Sequence, residues 1–183
     1  MPKQIFSSVR VQNKRKKNNK ISSPPNSGKC IQRHILSMVL DSCVRQDGNW
    51  AFSYTDMRNM LKIVQKLYKP NHLKYNRDTY TWAAALYVLR NAEKYGKMDK
   101  STVATLFMVG CTTASKFADD FGPNYDDVRV FFESFSKLDL CPLSSKNYNM
   151  WERKLLQGLN YDARWTLQDV SDLRNIACAV AQF

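Results

Sequence analysis

An all-helical fold is what this sequence predicts. Apolar residues recur at i, i+3, i+4 and i+7 in most of the longer segments, no stretch alternates convincingly in the period-two manner of a strand, and glycine is scarce at 6 of 183 residues. A chain of this length holds one domain with a real core plus tails, but hardly two full domains.

The elements follow in order. Residues 1–29 carry eight Lys or Arg and no Asp or Glu, with NKRKKNNK followed by SSPPNSGK; this composition cannot repay the entropy of ordering, so a flexible basic arm is expected. Lys14, Arg15, Lys16 and Lys17 suit a nuclear import signal or a phosphate contact, and equally a solubilising tail. From Cys30 to Val44 the apolar stripe Ile31, Ile35, Met38, Val39, widened by Leu36 and Leu40, predicts a first helix ending near Gln46-Asp47-Gly48-Asn49. Ser53 or Thr55 caps a second, with Met57, Met60, Leu61, Val64 and Leu67 as its stripe, closed before Pro70. A third starts at Arg77 or Asp78 and runs to Gly96. Its Ala83, Ala84 and Ala85 favour helix and close packing, and its apolar character on nearly all sides predicts a core helix.

Asp99 or Ser101 starts a fourth helix through Val103, Leu106, Phe107, Gly110, Ala114 and Phe117, in which Gly110 predicts a tight crossing with a neighbour. After the Gly-Pro stop, Tyr125 to Leu138 reads as a short aromatic helix, and Ser144 or Ser145 opens another containing Met150, Trp151, Glu152, Leu155, Leu156 and Leu159. A last amphipathic helix spans about 167–181.

The chemistry this chain lacks is informative. It has no Gly-rich phosphate loop, GxSxG elbow, HExxH or paired-carboxylate arrangement, so no enzyme is expected. The odd set Cys30, Cys43, Cys111, Cys141 and Cys178 contains no CxxC pair, and His34 and His72 have no cysteine close by, so free thiols in a reducing compartment are expected, with no metal site and no cofactor. Cys111 reads as a packing residue. No signal segment and no membrane span are apparent, so the chain reads as soluble and intracellular, in nucleus or cytoplasm or both. What stands out are two charges set among apolar helix residues, Lys116 and Glu152. Each is read either as an ordinary surface charge or as half of a pair that meets a partner from one outward face.

The motifs around those charges resemble the cyclin box. ATLFMVGCTTASKFADDFGPN at 104–124 resembles the family's third box helix and its ending, and NMWERKLLQGLNYD at 149–162 resembles the fifth. DMRNMLKIV at 56–64 is similar to the start of the first, and NRDTYTWAAALYVLRNAEKY at 76–95 to the second. The resemblance implies a five-helix box over residues 55–162, preceded by the arm (1–29) and a helix with its linker (30–54), and followed by a short helical tail (163–183). That tail is too short for a second box, which implies the single-box type.

In this family the box binds a cyclin-dependent serine/threonine protein kinase and positions its regulatory helix, which implies a non-catalytic regulatory subunit. Lys116 and Glu152 match the family's kinase-contacting lysine and glutamate. Met57, Met60, Leu61 and Val64 align with its docking patch for Arg-x-Leu motifs of substrates or inhibitors, with Val64 where a tryptophan is usual. The rivals are a transcription-factor-like cyclin-fold protein binding nucleic acid through its basic arm, and a scaffold that binds a kinase without activating it.

Overall fold

The computed structural model describes residues 28–45, 50–67, 74–118, 131, 134, 140 and 143–181. Among these residues the fold is six helices with no strand: α1 (Gly28–Ser42), α2 (Tyr54–Leu67), α3 (Arg77–Tyr95), α4 (Lys100–Ala118), α5 (Tyr148–Gly158) and α6 (Leu167–Ala181). The basic run at 14–17, the acidic pair at 119–120 and most of the aromatic segment 125–138 lie outside the described residues, although Phe131 is buried in the core.

Four of the six helix starts carry side-chain caps. Ser53 Oγ accepts from the Asp56 amide at 3.1 Å while Asp56 Oδ2 accepts from the Ser53 amide at 3.0 Å, a reciprocal box at the head of α2. Asn76 Oδ1 takes the Thr79 amide at 2.9 Å for α3, Asp99 Oδ1 takes the Thr102 amide at 2.9 Å for α4, and Thr166 with Asp169 repeats the reciprocal pattern ahead of α6. Gly96 closes α3 at φ 80°, a conformation in which a Cβ is strained.

Two boundaries differ from the sequence expectation. The first helix begins at Gly28, slightly before Cys30. Neither Ser144 nor Ser145 opens α5: Asn147 Oδ1 accepts the Ser144 amide at 2.7 Å and the Asn147 amide donates to Ser144 O at 3.2 Å, which winds 144–147 into a turn and delays the helix to Tyr148.

The core is built around α3 and α4. α3 packs against α1, α4, α5 and α6, α4 also meets α2 and α5, and α1 meets α2 and α6. Every residue of α4 from Val103 to Ser115 is buried. A Cβ on Gly110 would lie 3.2 Å from Ala84 Cβ and 3.3 Å from Ala84 Cα, so glycine on one helix and alanine on the other allow this backbone approach.

Outside the helices, α1 is tied to the rest of the chain by a parallel bridge, in which the Met98 amide donates to Cys43 O at 2.9 Å and the Arg45 amide to Met98 O at 2.7 Å. Beside it, the buried Asp41 accepts the Phe52 amide at 2.9 Å and holds the segment entering α2 against α1. The proposed docking patch is corrected by the same packing. Met57, Met60 and Val64 are 1%, 0% and 2% exposed, because the face of α2 they share is its core face. Only Leu61 of the four is partly open, so they form no docking surface in this structure.

Candidate functional site

The last turn of α4 and the first two turns of α5 bring Lys116 and Glu152 together. Lys116 Nζ lies 2.8 Å from Glu152 Oε1, with the two side chains 40% and 21% exposed. A lysine in the last turn of α4 is favoured by the carbonyls gathered there.

Between the two charges stands Tyr148, the first residue of α5 and one helical turn before Glu152, hence on the same face. Its ring is 6% exposed and lies under the lysine, with Nζ 5.1 Å from the ring centroid. The phenol oxygen is 2.6 Å from Thr112 Oγ1, 3.1 Å from Glu152 Oε1 and 3.4 Å from Lys116 Nζ. A hydroxyl has one proton to give, so when Tyr148 donates to Glu152 the Thr112 hydroxyl donates to Tyr148; otherwise Thr112 turns to Val109 O, 2.7 Å away. Burial, and then the Glu152 charge, raise the Tyr148 pKa, which keeps the phenol a donor at neutral pH.

This arrangement anchors one carboxylate oxygen from two sides and leaves the cluster open to solvent along one edge. Phe117, next to Lys116, is 56% exposed, and Met150, two residues before Glu152, is 58% exposed. An accessible ion pair with large apolar side chains nearby in sequence on both helices has the composition of a protein-binding surface.

Other residues singled out in the sequence fall elsewhere. Trp151 is 8% exposed, a core residue under Lys154, whose Nζ is 4.7 Å from its ring centroid. His34 is exposed and sits against Trp50, ring centroids 5.6 Å apart. Cys43 and Cys111 are buried cysteines outside any disulfide, and burial pushes the Cys43 thiol up to about 12, which makes it inert at neutral pH. Among the described residues no group of three or more His, Cys, Asp or Glu is placed to hold a metal ion, and no helix is long and apolar enough to cross a membrane.

The sequence alone singles out neither Thr112 nor Tyr148, the two hydroxyls that join the charges. The four-residue spacing from Tyr148 to Glu152 was the available signal for one of them. Comparison of the chain with protein-family models, curated proteins and solved structures finds no match.

Proposed function

We propose that this chain is a non-catalytic regulatory subunit that binds and activates a cyclin-dependent serine/threonine protein kinase. The helices α2, α3, α4 and α5 are read as the first, second, third and fifth of a cyclin box, with α1 preceding it and α6 following. The observation that supports this reading is the meeting of Lys116 and Glu152, the two residues that the motif resemblance pairs, at 2.8 Å on a half-open edge.

An ammonium has three donors, and its bonds to Glu152 and Tyr148 leave a third for a carbonyl of the partner. Bound across this edge, the box selects the kinase conformation whose regulatory helix is turned inward, completing the kinase's own Lys–Glu pair. The partner supplies the catalysis.

The test is a pull-down against a panel of cyclin-dependent kinases followed by a phosphorylation assay, with wild type and a Lys116→Ala, Glu152→Ala double variant. Wild type is expected to capture at least one kinase and raise its activity, and the double variant to lose on the order of tenfold or more in affinity, as for charges truncated at an interface. Equal binding and equal activation by both proteins would overturn the proposal, and capture without activation would make the chain a scaffold.

A further inference from the structure

A second surface, made by α1 and α2, has a different character. Residues 1–67 contain thirteen of the 28 Lys and Arg but three of the sixteen Asp and Glu. Two of those three carboxylates, Asp41 and Asp56, are the only ones among the described residues of this stretch, and both are turned to internal use. Asp41 is buried on the Phe52 amide, and Asp56 caps α2 and pairs with Lys100 at 2.8 Å. The solvent face of α2 therefore carries Arg58, Lys62 and Lys66, all exposed, and no acid. They are spaced four residues apart, about 6 Å of helix axis per step.

Two exposed aromatic rings precede these cations in the chain, one just before α2 and one at its first position. Trp50 is 61% and Tyr54 57% exposed, values unusual for residues that bury readily. Both are steadied: Trp50 rests against the His34 ring at 5.6 Å, and Tyr54 Oη accepts from Arg33 Nη1 at 3.4 Å. Tyr54 opens α2 one turn ahead of Arg58, so ring and cations lie along one stripe. A row of uncompensated cations headed by open ring faces is the chemistry that takes a sugar-phosphate strand with unpaired bases: cations track the phosphates, rings stack on the bases. An acidic peptide would use the cations and leave the rings idle.

We infer that the solvent face of α2, with Trp50 and Tyr54 at its head, binds single-stranded nucleic acid. None of the residues in the proposed kinase interface takes part, so either surface can fail without the other.

The test titrates the full chain, arm included, into a fluorescein-labelled oligothymidylate of about twenty nucleotides, followed by anisotropy over a range of salt. An Arg58→Ala, Lys62→Ala, Lys66→Ala triple variant is expected to bind about tenfold or more weakly, with the slope of log affinity against log salt reduced by about 2, near 0.7 for each phosphate no longer neutralised. Trp50→Ala is expected to weaken binding about fivefold or more at every salt with the slope unchanged, as removal of one stacked base does. All four side chains are exposed, and a circular-dichroism melt confirms that each variant folds. A triple variant with wild-type affinity and slope would overturn the inference, assigning any binding to residues 1–29 alone. So would an oligoglutamate of equal charge that binds as tightly as the oligonucleotide and is indifferent to Trp50→Ala, which would make the ligand an acidic peptide.

Discussion

At its C-terminal end α5 is pressed against α3 so closely that a Cβ on Gly158 would fall on the Asn91 amide, while at its N-terminal end it meets α4 through a phenol, a hydroxyl and an ion pair that remain partly in water. The tight end is fixed further. Asn91 Nδ2 donates to Tyr87 O at 3.0 Å and Leu155 O at 3.3 Å, Lys94 Nζ donates to Gln157 O at 2.5 Å, and Tyr87 Oη donates to Ala163 O at 2.5 Å just beyond the helix. One helix is thus clamped by backbone complementarity at one end and presents adjustable polar groups at the other. The difference separates what holds the fold from what is available to a partner, since buried, geometrically exclusive interactions carry stability and half-open ones carry little.

Five measurements would break or sharpen that contrast. Gly158→Ala should be the costliest, about 2 kcal/mol in chemical denaturation despite alanine's better helix propensity, because Asn91 cannot withdraw without giving up its two carbonyls. Adding Asn91→Ala should recover part of that loss in a double-mutant cycle, and strict additivity would show that the two residues do not collide. Tyr148→Phe, at the open end, should cost about 1.5 kcal/mol by thermal or urea unfolding, since the phenol's hydrogen bonds disappear while the ring still fills its site; a loss as large as that of Gly158→Ala would erase the distinction between the two ends.

A second closed polar site gives an independent handle. Burial raises the Asp41 carboxyl from its ordinary 3.8 to about 6, against hydrogen bonds from the Phe52 and Ala51 amides and the Lys100 charge. The folded chain thus holds this proton more tightly than the unfolded chain does. Its contribution to stability is whole below about pH 3.8 and is lost as the pH rises through about 6. Asp41→Asn should therefore gain on wild type by about 1 kcal/mol between about pH 4 and pH 7. A difference independent of pH would mean that the carboxyl is not desolvated. Smallest of all, the Lys116→Ala, Glu152→Ala double variant should change unfolding free energy by about 0.5 kcal/mol, as partly exposed ion pairs do, whereas under the proposed function its capture of a kinase should fall about tenfold. A stability loss above about 2 kcal/mol would move the pair from recognition to structure.

Much of this architecture was legible because its signals are local. The stripes of α2 and α4, the alanines of α3, and the capping residues Ser53 and Asp99 act within one or two turns of where they stand, and Gly110 announced its close crossing because a mid-helix glycine has little other reason to be there. Gly158 did not, since a glycine near a helix end reads as a terminator; only the arrival of Asn91 from α3 reveals that the space is needed. Met57, Met60 and Val64 show the opposite failure. The stripe was read correctly, but aligning it with a docking patch required an outward face, and the neighbours of α2 take that face for the core. In the candidate site, Lys116 and Glu152 were visible as charges among apolar residues. Their distance was not, because it depends on how α4 and α5 are docked.

The seam between α1 and α6 has a kinetic consequence. These helices have the greatest sequence separation of the packed pairs in the described fold, so docking them closes its longest loop. Pairings of that kind are expected to form late, after the more local packing of α3 against α4, and changes that loosen the seam should then speed unfolding more than they slow folding. On that expectation the contact between the first and last of these helices governs the lifetime of the native state more than the time needed to reach it.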